Sequence, residues 1–270
     1  MRLKVETMSV KLEDAGLDRF KRISEIANMH PVYCKEDSTI AETVEKMVQT
    51  NHRRIPITSS SGKLVGVLTT SDILDAFLKR ENFNDKTSTI MVRDVVFCES
   101  DDTLDFVLQK FKLSRRGGFP IVENEKLVGV ISERDFVKHF SNVNFGVKVG
   151  EIMTTKPFFI SPNMSLFDCL KTLVNARYRR LPVVENGKLA GITTTADLIK
   201  YIHKNNYKQD AMDEPMDPVI IKSIYTVEKE RDVSDAVRIM KEKDVGGLLV
   251  AKDKKLEGIV TERDILEEIE

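Results

Sequence analysis

The sequence has no excess of charge of either sign, few cysteines, scattered histidines and no long apolar run. Its 42 basic and 43 acidic residues leave a net charge of −1 over 270 residues. A general nucleic-acid binder would carry a basic excess, so the balance argues against that class, although a local basic face stays open. The three cysteines, Cys34, Cys98 and Cys169, include no Cys-x-x-Cys pair. This speaks against a disulfide framework and a zinc site, and the cysteines read as small buried hydrophobes in a reducing compartment. No apolar stretch approaches membrane-spanning length and no signal-peptide core is present, so the chain reads as cytoplasmic with no membrane partner. The four histidines, His30, His52, His139 and His203, stand far apart. No nucleophile has a neighbouring base and no metal-spaced cluster occurs, so the expectation is neither an enzyme nor a metalloprotein.

What the chain does have is one short stretch four times over. It reads Gly66-Val67-Leu68-Thr69-Thr70-Ser71-Asp72, then Gly129-Val130-Ile131-Ser132-Glu133-Arg134-Asp135. The third copy is Gly191-Ile192-Thr193-Thr194-Thr195-Ala196-Asp197, and the fourth Gly258-Ile259-Val260-Thr261-Glu262-Arg263-Asp264. The glycines lie 63, 62 and 67 residues apart, which marks an internal repeat. The β-branched run predicts a short buried strand. The Ser or Thr that closes it is a helix N-cap, and the Asp three residues on can reach back to the cap amide. A strand thus feeds directly into a helix whose free N–H groups point at solvent or at a ligand. A cap alone accounts for one such copy. Four copies in register, each with Asp, point further, although duplication copies a cap as faithfully as a site.

Around this stretch the chain divides into an extension (1–22) and four units (23–80, 88–145, 148–205 and 218–270), each with the order β-α-β-β-α. Met1 to Val5 could form a strand, and Lys11 to Phe20 is weakly helical; no function attaches to either. A unit of about 60 residues buries little core alone, so pairing is expected, unit one with two and three with four. A cut between Phe145 and Val149 should then leave two soluble halves. Within unit one, Pro31 to Cys34 is the first strand, Ser38-Thr39 caps a helix bearing Ile40, Val44, Met47 and Val48, and Asn51-His52-Arg53-Arg54 is the turn into Ile55-Pro56-Ile57. Matching turns are Ser114-Arg115-Arg116-Gly117-Gly118 and Arg177-Tyr178-Arg179-Arg180. Unit four departs: Val245-Gly246-Gly247 offers space but no Arg, and its second strand lacks the Pro.

These units resemble CBS domains. The resemblance rests on the Pro157-Phe158-Phe159-Ile160-type first strand, the Arg179-Arg180-Leu181-Pro182-Val183-Val184-type second strand, the Gly-Lys-Leu-x-Gly hairpin and the closing Thr/Ser-x-x-Asp. It covers nearly all of residues 23–270. Four such repeats with no appended enzyme resemble the γ regulatory subunit of AMP-activated protein kinase. The resemblance implies an α/β fold of two paired Bateman modules forming a disc, with adenine nucleotides (AMP, ADP, ATP) as ligands in its clefts and a protein partner that receives the signal. A homodimer is also open to it. S-adenosylmethionine, which the family also accommodates, is the alternative ligand, and a nucleic-acid-binding CBS protein the alternative role.

The resemblance assigns Asp72, Asp135, Asp197 and Asp264 to the ribose, where one carboxylate can accept from two vicinal hydroxyls. It places Thr69, Ser132, Thr194 and Thr261 towards the phosphate, beside the helix amides. Phosphate contacts also fall to the turn: Arg54 and Arg180, Arg115 and Arg177, with Arg53, Arg116 and Arg179 as neighbours. Guanidinium suits a multiply charged phosphate because its donors sit in a fixed fork. Arg54 and Arg180 would point to the centre of the disc. For adenine it implies Asn28 and Thr154 at the base edge, with Tyr33 and Phe159 near the ring or in core packing. The motif glycines have a packing role. Glu133 and Glu262, where repeats one and three have Thr70 and Thr195, would weaken anion binding if they face the cleft. Repeat four gives a phosphate no turn Arg of its own.

Overall fold

In a computed structural model, which describes residues 10–270, the chain forms four β-α-β-β-α repeats. Repeat one comprises β1 (Cys34–Lys35), α1 (Ile40–Thr50), β2 (Arg54–Thr58), β3 (Leu64–Thr69) and α2 (Thr70–Leu78). Repeat two comprises β4 (Cys98–Glu99), α3 (Leu104–Ser114), β5 (Gly118–Glu123), β6 (Lys126–Ser132) and α4 (Glu133–Val137). Repeat three opens on α5 (Val149–Ile152) and β7 (Thr154–Thr155), then has α6 (Leu166–Asn175), β8 (Arg180–Glu185), β9 (Lys188–Thr194) and α7 (Thr195–Lys204). Repeat four has β10 (Thr226–Val227), α8 (Val233–Lys243), β11 (Gly247–Lys252), β12 (Lys255–Thr261) and α9 (Glu262–Leu266).

Local chemistry explains these elements. Thr39 accepts the Glu42 amide at 3.1 Å while the Glu42 carboxylate accepts the Thr39 amide at 2.8 Å, a closed capping box that starts α1. Ile40, Val44 and Met47 then recur on one buried face. The β8–β9 hairpin turns through Asn186 and Gly187, both left-handed with φ of 51° and 73°, as a two-residue hairpin turn requires. The first strands are only two residues long and sit later than expected: Cys34 and Lys35 pair in parallel with Ile57 and Thr58. In repeat three the expected strand reduces to one parallel bridge, Ile160 to Val183.

The repeats are joined in two ways. Along their strands, one joins two and three joins four, and the join is crosswise. The segment ahead of each first strand leaves its own repeat and lies antiparallel on the partner's closing strand. Asn28 bridges Val130, Val92 bridges Val67, Ile221 bridges Ile192, and β7 pairs with β12 at Gly258 and Ile259. The motif glycines make this approach possible. A Cβ on Gly66, Gly191 or Gly258 would lie 2.5 Å from Met91 Sδ, Ile220 Cγ2 or Met153 Sδ, and one on Gly129 3.1 Å from the Asn28 carbonyl.

Through their helices the repeats pair differently. The contacts of α2 with α7 and α6, and of α1 with α7, bury one apolar core shared by repeats one and three. The contacts of α4 with α9, and of α8 with residues 138–142, build a second core shared by repeats two and four. The four repeats therefore close a ring in the order one, two, four, three. This revises the expectation of two separable halves, because a cut at 145–149 would bare the apolar helix faces of both.

The extension packs on the second core. Its Leu12–Ala15 forms a short 3-10 helix, with Leu12 and Leu17 buried. Val10 pairs with Ile269, and the Glu270 amide donates to the Val10 carbonyl at 2.7 Å. The strand expected at Met1 to Val5 lies outside the described residues.

Candidate functional site

The four closing aspartates share one geometry. At each, a single carboxylate oxygen, Oδ2, accepts both the amide and the hydroxyl of the residue three positions earlier. The amide and hydroxyl distances are 2.8 and 2.6 Å for Thr69 on Asp72, and 2.9 and 2.7 Å for Ser132 on Asp135. They are 2.9 and 2.6 Å for Thr194 on Asp197, and 2.8 and 2.7 Å for Thr261 on Asp264. The cap is therefore real at all four. It uses half of each carboxylate, and Oδ1 is left over. Among the described residues Oδ1 meets a side-chain donor only at Asp135, where Lys138 Nζ lies 3.1 Å away. All four aspartates are half-buried. Burial raises the proton affinity of the Asp197 carboxyl, against the lowering effect of its Thr194 hydrogen bonds. The four hydroxyls expected to face phosphate have their protons committed to these carboxylates.

A cavity of about 760 Å³ lies at the centre of the ring. It is lined by Arg53 and Arg54 from repeat one and by Arg179 and Arg180 from repeat three. Two of the four caps open onto it, Ser132 with Asp135 and Thr194 with Asp197. Asn28 also lines it, its Oδ1 accepting the His30 amide at 2.9 Å. Thr69, Asp72, Thr261, Asp264, Tyr33, Thr154 and Phe159 are not among the lining residues, nor are Arg115, Arg116 and Arg177. Arg115 and Arg177 end their helices in the left-handed conformation, both at φ 54°, and all three of these arginines are exposed.

The central arginines reach across repeat boundaries. A Cβ on Gly118 would lie 2.5 Å from Arg54 Nη1, and one on Gly247 would overlap Arg180 Nη1. Arg179 Nη1 stands 3.0 Å from the Cβ position of Gly117, and Arg53 Nη2 3.2 Å from that of Gly246. The glycine pairs of repeats two and four are thus slots for arginines of repeats one and three. Repeat four has no turn Arg of its own, as its sequence shows, yet its slot is filled by borrowed ones. Burial, reinforced by the neighbouring guanidinium groups, pushes Arg54 and Arg180 down to about 10, so both remain charged at neutral pH, and burial lowers Arg53 as well. Among the described residues none of the four central arginines has a carboxylate within ion-pairing distance.

Glu133 and Glu262 also line the cavity and are almost fully buried. Each is held across the contact of repeats two and four: Arg263 Nη2 lies 2.5 Å from Glu133, and Arg134 Nε 2.7 Å from Glu262. At the matching contact of repeats one and three there is no charge, and Thr70 and Thr195 share a buried hydrogen bond of 2.9 Å.

The aromatic positions are not core. Tyr33, Phe97, Phe159 and Tyr225 are 45, 40, 54 and 41% exposed, each on the first-strand segment of its repeat. Because those segments cross over, Asn28 lies beside the strand that leads to Asp135, and Thr154 beside the strand that leads to Asp264. The partners of Asp197 are Ile221, Ser223 and Tyr225, which line the cavity with it. Sequence reasoning missed these; the aromatic just before the buried first-strand residue is a signal that could have found Phe97, whereas Tyr225 stands two positions before the buried Val227. Among the described residues no group of three or more His, Cys, Asp or Glu gathers as a metal site, and no helix is long and apolar enough to cross a membrane.

The CBS domain family model matches residues 23–79, 88–142, 149–204 and 216–270. An uncharacterized 33.4 kDa protein of Thermofilum pendens, from a ribosomal RNA operon, is 30% identical over 85% of this chain and 84% of its own. The protein MJ1225 of Methanocaldococcus jannaschii is 28% identical over 92% of this chain and 98% of its own. Its crystal structure, proposed as that of an archaeal homologue of γ-AMPK, superposes with a TM-score of 0.84 at 25% identity, covering 92% of this chain and 99% of that one.

Proposed function

The chain belongs to the CBS-domain family, and on that premise we propose that it is a regulatory sensor that binds adenine nucleotides and signals to a protein partner. AMP, ADP and ATP are the ligands, in the Asp135 and Asp197 clefts first. The observation that carries this reading is the convergence of Arg53, Arg54, Arg179 and Arg180 on one cavity with no carboxylate in contact. Four guanidinium groups gathered on one cavity, Arg54 and Arg180 of them half-buried, repel one another, and a phosphate relieves that repulsion with charge-assisted hydrogen bonds. The free Oδ1 of Asp197 accepts a ribose hydroxyl while Oδ2 keeps the cap, and the exposed Tyr225 offers a face to the base. The proposed relation of MJ1225 to γ-AMPK agrees with this reading.

The chain acts by binding, as a cytoplasmic protein, and no step of catalysis is assigned to it. S-adenosylmethionine is cationic and has no phosphate, so the arginine cavity disfavours it. Mass spectrometry of small molecules carried through purification tests the reading. AMP, ADP or ATP in stoichiometric amount supports it; S-adenosylmethionine in their place contradicts it.

A further inference from the structure

Four central arginines would accept any polyanion, so something must limit how much charge enters. The two buried glutamates are placed to do so. Glu133 is the first residue of α4 and Glu262 the first of α9, and these helices pack against each other. Each carboxylate is held from behind by the other repeat's arginine, Glu133 by Arg263 and Glu262 by Arg134. Their front sides look at the cavity. A Cβ on Gly117 would touch Arg179 Nη1 at 3.0 Å and Glu133 Oε2 at 3.2 Å; one on Gly246 would touch Glu262 Oε2 at 2.7 Å and Arg53 Nη2 at 3.2 Å. Each glutamate therefore faces a cavity arginine across a glycine, close enough to act on its charge without contact.

We propose that Glu133 and Glu262 are resident counter-anions that cap the charge the arginine cavity accepts, so that it favours nucleoside monophosphates over triphosphates. The inference rests on the nucleotide reading and deepens it. A ligand phosphate approaching Arg179 or Arg53 also approaches a carboxylate that is itself almost fully buried, so the repulsion is screened less than between two surface charges. That repulsion grows with ligand charge, about two units for AMP and about four for ATP. The ion pairs with Arg263 and Arg134 restrain both carboxylates. Burial raises the proton affinity of Glu133, while Arg263 and Arg179 favour its charged form. Repeats one and three carry Thr70 and Thr195 at this position, whose uncharged hydroxyls hydrogen-bond to each other.

The test is calorimetric titration of the full chain and of Glu133→Gln, Glu262→Gln and the double variant with AMP, ATP, adenosine, phosphate and inorganic tripolyphosphate. The inference expects each Gln to tighten AMP about threefold and ATP about tenfold, with adenosine unchanged. Thr70→Val, at the matching uncharged contact, should alter melting without altering the ratio of ATP to AMP affinity. Gains equal for AMP and ATP, or a ratio unchanged in the double variant, overturn the proposal. If no nucleotide binds but tripolyphosphate does, the nucleotide reading alone falls, and the same rule is read from tripolyphosphate against phosphate. If tripolyphosphate binds neither the full chain nor the variants, the charge limit is wrong even where adenosine still binds. Melting curves on each variant show whether it is folded. Should Glu133→Gln fail to fold, Glu133→Gln with Arg263→Gln removes the pair as a unit and keeps the measurement.

Discussion

Asp197 divides its labour between its two oxygens, and a substitution there has two effects that can be told apart. Oδ2 takes the amide and hydroxyl of Thr194, so removing it costs α7 a cap, typically about 1 kcal/mol. Oδ1 carries no side-chain donor among the described residues, and if it takes the two ribose hydroxyls as proposed, losing them should cost binding on the order of 3 kcal/mol. Asp197→Ala is therefore expected to lower the melting temperature by a few degrees and to abolish measurable AMP binding in the repeat-three cleft. A melting curve beside a titration separates the two. Loss of melting temperature with affinity intact would leave Asp197 as a cap alone. The same division holds at Asp72, Asp135 and Asp264, with one difference: Lys138 already occupies the second oxygen of Asp135.

The element that organises each cleft is the crossing segment, and the glycine beneath it is the residue it depends on. On Gly191 a Cβ would lie 2.5 Å from Ile220 Cγ2 and 2.9 Å from the Ile221 carbonyl. Backbone on one side leaves little room to give. Gly191→Ala should destabilise the chain by about 1–3 kcal/mol in urea unfolding, the range for overpacking, and weaken AMP by displacing Ile221 and Tyr225 from the Asp197 cleft. An unchanged midpoint would mean that the segment does not lie as described. The caps, the hairpins and the arginine turns were legible in the sequence, because each is set by residues within a few positions of one another and each is repeated. The crossing was not. A glycine that admits a close neighbour does not say whose chain that neighbour comes from, so Ile221, Ser223 and Tyr225 escaped notice at Asp197. The empty-looking Gly246-Gly247 misled for the same reason, since its charge arrives from Arg53 and Arg180, more than 60 residues away in sequence. That Glu133 and Glu262 line the cavity while paired to Arg263 and Arg134 was equally out of reach, since each partner comes from the other repeat.

At the scale of the molecule, strands join the repeats one way and helices the other, and the ring needs both. Each apolar core draws on two repeats that lie in different sequence halves. A chain cut between Phe145 and Val149 should therefore give halves that associate with each other or aggregate; sedimentation showing two stable soluble monomers would contradict the ring. The cavity exists only because the ring closes, since its four central arginines come from repeats one and three, Arg134 from repeat two, and the glycine slots from repeats two and four. The account's central claim is that these arginines are a phosphate site. Its most direct test is titration of the intact protein and of Arg54→Ala and Arg180→Ala with AMP and with adenosine. Each variant should lose about 1.5–3 kcal/mol of AMP binding, the range for a charge-assisted hydrogen bond, and almost none of its adenosine binding. The difference between the two losses cancels general damage to the fold. Equal losses for both ligands, or no loss for either, would contradict the claim.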